Sequence, residues 1–243
     1  MVVSAELKLL CYIRTPLVRY VGMTEETLSI AVLDGRALTA IRTAAVGPAA
    51  GWTFIYSPGA GSNVHDPFGR FACRELATNG VECVRFQFPY MEAGKRSPDR
   101  PAVLETTWRA VIDAVRPKDA KLVVGGRSMG GRIASQIVAA GVAVDALALF
   151  AYPLHPPGRP EQMRDAHLAS ITVPVLFCSG TNDAFASPEE LRAAAARVPA
   201  ATLHLLEGAD HGFGIPKASG RTRQDVWAEG VTALLEWLIA LGA

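Results

Sequence analysis

One turn constrains the fold of this chain more than any other segment. The apolar run 121–124 is typical of a β-strand and leads into Gly-Gly-Arg-Ser-Met-Gly-Gly, after which residues 133–140 follow a helical pattern. A serine between small residues at a strand-to-helix turn is held with its hydroxyl exposed at the end of a sheet strand. A side chain at Gly126 or Gly130 would collide with a neighbouring strand or helix. The turn therefore predicts that Ser128 lies exposed where a buried strand ends and a helix begins.

Strand and helix patterns alternate along the rest of the chain. Two apolar stretches, 28–33 and 37–41, are joined through Asp34-Gly35, a dipeptide typical of tight hairpins. A hairpin followed by alternating units indicates an α/β fold with a mostly parallel twisted sheet, an N-terminal antiparallel hairpin and helices on both faces. The further predicted strands are 52–56, 81–86, 121–124, 146–150, 175–178 and 203–206. The further predicted helices are 68–79, 104–115, one that begins at Ser187-Pro188 with a capping-box pattern, and an apolar-striped one around 227–238.

Length and composition favour a single domain. Of 243 residues half are hydrophobic and the net charge is +1, so we expect neither a nucleic acid nor a membrane surface as partner. The apolar run 142–152 is interrupted by Asp145 and is too short to span a membrane. Four cysteines without metal-ligand or redox spacing predict reduced core thiols and a cytoplasmic location.

The N-terminal segment has a different character from the rest. We divide the chain into an N-terminal extension, residues 1–23, and one α/β domain, residues 24–243. Charged residues are scattered through residues 1–21, and no compact apolar region precedes a small-residue cleavage site, so we expect no signal peptide. Alternatively, Met23 is the natural start and the preceding residues are an upstream extension.

Two later loops supply the partners that an activated serine requires. A serine hydroxyl becomes nucleophilic when an imidazole accepts its proton, and a carboxylate must orient that imidazole. Asp183 follows the predicted strand 175–178, and His211 follows the predicted strand 203–206. Asp210 is a rival acid, but a sequence neighbour of the histidine usually points elsewhere, and we expect Asp210 to brace its own loop. The order Ser, Asp, His predicts the catalytic residues Ser128, Asp183 and His211.

The serine turn and the glycine-rich loop after strand 52–56 predict an oxyanion hole. Two backbone N–H groups must point at one oxygen, and Met129, directly after the serine, supplies one of them. The second is expected from the glycine-rich loop after strand 52–56, with Ala60 as first choice and Gly61 as second, since Pro58 has no N–H. The alternatives are that these glycines form only a turn and that Ser128 is only a helix N-cap. No pair of histidines has metal-ligand spacing, so we predict no catalytic metal and no cofactor.

From about residue 24 onward, the motifs and their order resemble those of the α/β-hydrolase superfamily. More narrowly, the chain is similar to the dienelactone-hydrolase-like group. Within that group it resembles bacterial relatives of testis-expressed protein thirty and of the hydrolase-like subunit of the nonspecific lethal complex. The segments that carry the narrower likeness are 58–61, 126–132, the proline-rich 152–158, 180–183 and 210–211. The resemblance implies the same Ser-Asp-His triad but no particular substrate, and it includes relatives that act as protein-interaction subunits. Serine replaces the cysteine nucleophile of dienelactone hydrolases proper.

Only 24 residues separate the predicted strands that end at Phe150 and begin at Val175. This connection is too short for a cap domain, so we expect an open site suited to small, accessible esters. Tyr152 and His155 would line its mouth if the connection is not simply a rigid connector. Arg127 and Arg132 would attract an acidic substrate, although such arginines more often pair with structural carboxylates.

The residues therefore predict a serine hydrolase, foremost a carboxylesterase acting on small acyl esters. A thioesterase or small peptidase with the same three residues is an alternative. A non-catalytic protein-interaction module on the same fold is an alternative of another class, and the presence of all three residues argues against it.

Overall fold

The computed structural model describes residues 22–32 and 35–242, so most of the N-terminal extension and two residues of the predicted hairpin, Leu33 and Asp34, lie outside the described residues. The core of the fold is an eight-stranded sheet with the strand order β1-β2-β4-β3-β5-β6-β7-β8. The β1–β2 and β2–β4 pairs are antiparallel and all the other pairs are parallel. The strands are β1 Glu25–Ala31, β2 Ala37–Thr43, β3 Trp52–Ser57, β4 Glu82–Phe86, β5 Lys121–Arg127, β6 Ala146–Phe150, β7 Val175–Gly180 and β8 Ala201–Leu206. This is the predicted mostly parallel sheet with an N-terminal antiparallel hairpin.

Helices cover both faces of the sheet. They are α1 Pro67–Thr78, α2 Pro89–Glu92, α3 Pro101–Val115, α4 Met129–Ala139, α5 Pro188–Ala195 and α6 Arg223–Gly242. The patterns missed the single-turn α2 and placed the start of α3 three residues late. The predicted capping box at α5 is present, since Ser187 and Glu190 each accept a hydrogen bond from the other's backbone N–H.

Successive residues of the central strands point to opposite faces, which divides the apolar core into two layers. On one face Val124, Leu147 and Phe177 pack against α3, α4 and α5. On the other face Val123 and Ala148 pack against α1 and α6. Because both faces are covered, the central strands are apolar without alternation, as a parallel sheet requires.

The connection between β6 and β7, residues 151–174, contains no regular element except the 3₁₀ turn Leu168–Ser170. No separate cap domain is present among the described residues, as the length of this connection predicted. The described helices include none that is long and apolar enough to cross a membrane.

Candidate active site

The turn after β5 holds Ser128 in an unusual backbone conformation. Its φ is 53° and its ψ is −120°, and among the described non-glycine residues only Ser128, Ala151 and Phe213 have a positive φ. The Ser128 N–H donates to the carbonyl oxygen of Phe150 at 2.8 Å, and its own carbonyl accepts the first helical hydrogen bond of α4, from Arg132, at 3.0 Å. Strain of this kind persists only where the surrounding structure enforces it.

Glycines around Ser128 allow β5, α4 and β3 to approach one another closely. A Cβ at Gly126 would lie 2.0 Å from the Ser57 carbonyl oxygen, and one at Gly130 would lie 2.3 Å from the same atom. At Gly131, it would lie 2.6 Å from the Gly126 carbonyl oxygen. At Gly126 and Gly130 the expected collision is therefore with the end of β3, and at Gly131 a collision with β5 is added; all three involve backbone atoms that cannot rotate away.

The structure brings Ser128, His211 and Asp183 together in one hydrogen-bonded chain. His211 Nε2 lies 2.8 Å from Ser128 Oγ, and His211 Nδ1 lies 2.9 Å and 2.8 Å from the two carboxylate oxygens of Asp183. With Nδ1 protonated toward Asp183, Nε2 is free to accept the serine proton. The three residues follow β5, β7 and β8, whose carboxyl ends lie along one edge of the sheet.

Two contacts of Phe185 hold this chain in position. Its backbone N–H donates to Asp183 Oδ1 at 2.8 Å. Its ring stacks on the His211 imidazole, with ring centres 3.9 Å apart and planes inclined by 26°. The stacked ring restricts rotation of the imidazole, while Asp183 itself is buried. The sequence patterns did not single out Phe185, because Phe185 and His211 lie on different loops and short-range patterns do not show contacts between loops.

The structure favours neither of two alternative roles, Asp210 as the partner of His211 and Ser128 as only a helix N-cap. Asp210 Oδ1 accepts from the backbone N–H groups of Gly212 and Gly214 at 2.8 Å and 2.7 Å, so it braces its own loop. Ser128 occupies the N-cap position of α4, but its side chain makes no capping hydrogen bond. The Ser128 hydroxyl faces the imidazole instead of the helix.

The glycine-rich loop after β3 lies against the serine. A Cβ built on Gly59 would be 3.3 Å from Ser128 Cβ, and Ala60 lines the same cleft as Ser128. Met129 is the first residue of α4, so its backbone N–H has no acceptor within the helix. The structure thus brings Met129 and Ala60 to the serine, whereas Gly61 is not part of the cleft lining.

Asp66 ties this loop to the serine turn, a link that the sequence patterns missed. Its carboxylate accepts from Tyr56 Oη at 2.7 Å, from Ser62 Oγ at 3.1 Å and from the α1 N–H of Gly69 at 2.9 Å. Arg127, the residue before Ser128, donates to Asp66 Oδ1 at 3.3 Å. Burial, followed by the charge of Asp66, raises the pKa of Tyr56 well above its usual value, so its hydroxyl stays a donor.

Ser128 and His211 open onto a cleft of about 350 Å³. Its walls include Pro98, Pro153, Phe185 and the three arginines Arg127, Arg132 and Arg164. A larger depression of about 600 Å³, lined by residues that include Asn182 and Asp210, contains none of the three hydrogen-bonded residues. The smaller cleft is therefore where a substrate would meet Ser128.

The three predicted pocket residues lie in different places. Arg127 lines the cleft, but Tyr152 and His155 do not. The Tyr152 hydroxyl is buried in hydrogen bonds with Ser135 and His167, and burial raises its pKa to about 12. The His155 ring is buried against Glu190, with Nε2 3.2 Å from the carboxylate. Both side chains are turned toward polar partners beneath the surface, which the proline-rich pattern could not reveal.

The chain belongs to the alpha/beta hydrolase domain family, whose model matches residues 50–239. A serine hydrolase homologue from Coxiella burnetii is 20% identical with a TM-score of 0.70, over 86% of this chain and 97% of that one. A serine hydrolase without a lid from Xanthomonas campestris is 22% identical with a TM-score of 0.66, over 88% and 94%. An esterase domain from Rhodothermus marinus is 15% identical with a TM-score of 0.67, over 89% and 98%. At these identities the solved structures establish the shared fold.

Proposed function

We propose that this protein is a serine hydrolase, specifically a carboxylesterase that cleaves small acyl esters through an acyl-enzyme. The observation that carries the proposal is the position of His211, within hydrogen-bond distance of both Ser128 Oγ and the Asp183 carboxylate. An imidazole held between a hydroxyl and a buried carboxylate is the arrangement that activates a serine. The family membership and the esterase and serine hydrolase titles of the structural neighbours support the same class.

In the proposed reaction Ser128 Oγ attacks the ester carbonyl while His211 Nε2 takes the hydroxyl proton. Asp183 orients the imidazole and stabilises the imidazolium that forms. The negative charge on the carbonyl oxygen is stabilised by the backbone N–H groups of Met129 and Ala60. The C–O bond to the alcohol then breaks, and the imidazolium gives its proton to the departing oxygen. Water, deprotonated by His211, attacks the acyl-enzyme, and the carboxylic acid leaves as Ser128 regains its proton.

The proposal also covers the size of the substrate, the subgroup of the family and the location in the cell. The site has no lid among the described residues and a cleft of about 350 Å³, which favours compact esters over long peptides. We place the protein near the dienelactone-hydrolase-like group on the motifs at 58–61 and 152–158, and in the cytoplasm because Cys73, Cys83 and Cys178 are free, buried thiols.

A fluorophosphonate probe tests the proposal directly, because it labels only an activated serine. We expect the wild-type protein to be labelled and Ser128→Ala and His211→Ala to lose labelling while keeping wild-type circular dichroism. Ser170→Ala, which removes an exposed serine outside the cleft, is the matched control and should label like wild type. A folded wild-type protein that resists the probe contradicts the proposal and favours the protein-interaction module. If labelling succeeds, a screen of esters, thioesters and peptides separates the carboxylesterase from its alternatives.

A further inference from the structure

The cleft beside Ser128 has an unbalanced charge. Arg127, Arg132 and Arg164 all line it, and no carboxylate is among its lining residues in the described part of the chain. The chain as a whole has a net charge of only +1, so this local excess is not a reflection of a basic protein. A concave site lined by one sign of charge concentrates ligands of the opposite sign.

The three arginines differ in what their side chains contact. Arg127 donates to the buried carboxylate of Asp66 at 3.3 Å, which balances its charge. For Arg132 and Arg164 the described residues offer no carboxylate within ion-pair distance and no side-chain hydrogen bond. Asp165, next to Arg164 in the chain, is paired with Arg197. Two guanidinium groups in the cleft therefore have unused hydrogen-bond donors.

Of these two residues, Arg132 gives the stronger evidence for a ligand-binding role. Among the described residues its buried Nε has no hydrogen-bond partner, as is also the case for Arg127 Nε, but unlike Arg127 it has no carboxylate at its other nitrogen atoms. Burial and the neighbouring positive charge of Arg164 lower the pKa of Arg132, yet a guanidinium remains charged at neutral pH. Two positive charges held this close together repel each other.

Both arginines are anchored at fixed positions relative to the serine. Arg132 lies one helical turn after Ser128, and its backbone N–H donates to the Ser128 carbonyl at 3.0 Å. Arg132 is in the first turn of α4, and its side chain lines the same cleft as Ser128. The Arg164 backbone N–H donates to the carbonyl of the buried Leu154 at 2.7 Å, and this bond holds Arg164 at the base of the exposed stretch 157–163 of the connection.

We propose that Arg132 and Arg164 form a subsite for an anionic oxygen group, so that the substrate is an ester carrying a carboxylate on its acyl or its alcohol part. This inference rests on the proposed esterase function and names its substrate class. A carboxylate accepts two parallel hydrogen bonds from a guanidinium, and a second guanidinium neutralises the remaining charge. The group would bind in the part of the cleft that both arginines line.

Two matched ester pairs test the subsite. Monoethyl adipate differs from ethyl hexanoate in carrying a carboxylate at the far end of the acyl chain, and 4-acetoxybenzoate differs from 4-methylphenyl acetate in carrying one on the alcohol part. We expect at least one charged ester to exceed its neutral partner about tenfold in kcat/KM, mainly through KM. Arg132→Gln and Arg164→Gln should each remove most of that preference. Arg192→Gln, an equal loss of charge at an exposed position on α5, should retain it.

A binding measurement that needs no turnover accompanies the kinetics. Adipate should raise the melting temperature of the wild-type protein and of Arg192→Gln, but not that of Arg132→Gln, and the neutral diamide adipamide should raise none of them. If the protein treats both members of each ester pair alike, or if both cleft variants keep the preference, the inference is overturned while the esterase proposal stands. If no ester is cleaved and no probe labels Ser128, the esterase proposal fails, and the adipate measurement then decides whether the subsite exists.

Discussion

The turn that carries Ser128 and the connection between β6 and β7 line the same cleft but are built in opposite ways. At the turn the backbones of three elements touch, and added methyl groups at Gly126 or Gly130 would meet main-chain oxygen within 2.3 Å. In the connection, residues 157–163 are all exposed and form no helix or strand. The proposed chemistry therefore rests on backbones in close contact, whereas Arg164, one of the two arginines of the proposed subsite, directly follows this exposed stretch and is held at its base by the hydrogen bond to Leu154. The proposed subsite thus combines both regions, since Arg132 belongs to the helix after the turn and Arg164 belongs to the connection.

The largest expected effect is on kcat, and it comes from a substitution in the hydrogen-bonded chain of Ser128, His211 and Asp183. Asp183→Asn keeps the size of the side chain but removes the charge that orients and stabilises His211, so kcat for a good ester should fall about 10⁴-fold. Asp210→Asn is the matched control, since an amide oxygen can still accept the Gly212 and Gly214 hydrogen bonds. We expect less than a tenfold change there. Similar losses from the two substitutions, measured by steady-state kinetics, would mean that Asp210 shares the role.

Alanine substitutions of glycine compare the rigidity of the two regions. In Gly130→Ala the new methyl group must displace the end of β3, so the free energy of unfolding should fall by about 3 kcal/mol or more. Gly158→Ala adds a methyl group in open space, and its φ of 70° alone should cost about 1 kcal/mol. Urea denaturation followed by circular dichroism measures both. Equal destabilisation at the two positions would show that the turn tolerates movement as readily as the connection.

A smaller, pH-dependent effect should come from His155, which anchors the connection to α5. Burial lowers the pKa of His155, but hydrogen bonds to the Pro156 carbonyl and the Glu190 carboxylate, with the charges of Glu190 and Asp183, outweigh it, so the net shift is upward. A pKa raised in the folded state means that the stabilisation is present below the unfolded pKa and is lost as the pH rises through the folded one.

Melting temperatures of wild type and His155→Gln test this sign. The difference between them should be larger at about pH 6 than at about pH 8.5. Glu190→Gln removes the partner carboxylate and should flatten the pH dependence in the same way. A difference that is constant across this range would show that His155 stabilises the connection by packing alone.

The sequence predicts the strand-to-helix turn and the order of Ser128, Asp183 and His211 because each depends on short-range patterns. Glycines that permit close approach, and polar residues directly after apolar runs, are visible in a few consecutive letters. The mostly parallel sheet and the α5 capping box follow from equally local or general rules. Asp66, Phe185 and Arg164 escaped prediction because their roles come from contacts between loops that are far apart in the chain. Tyr152 and His155 were expected at the mouth, since a pattern of prolines does not tell which way a neighbouring side chain turns.

The backbone of Ser128 has a consequence for how this protein can change. Its φ of 53° is a conformation that a serine adopts only against an opposing free energy, of order 1–3 kcal/mol, which the packing around it supplies. Glycine would adopt it without that penalty, but would remove the hydroxyl. Thermal robustness and reactivity therefore pull in opposite directions at this single position. A descendant of this protein that no longer needed the reaction could replace Ser128 by glycine, lose the backbone strain at this position and keep the fold with a higher free energy of unfolding.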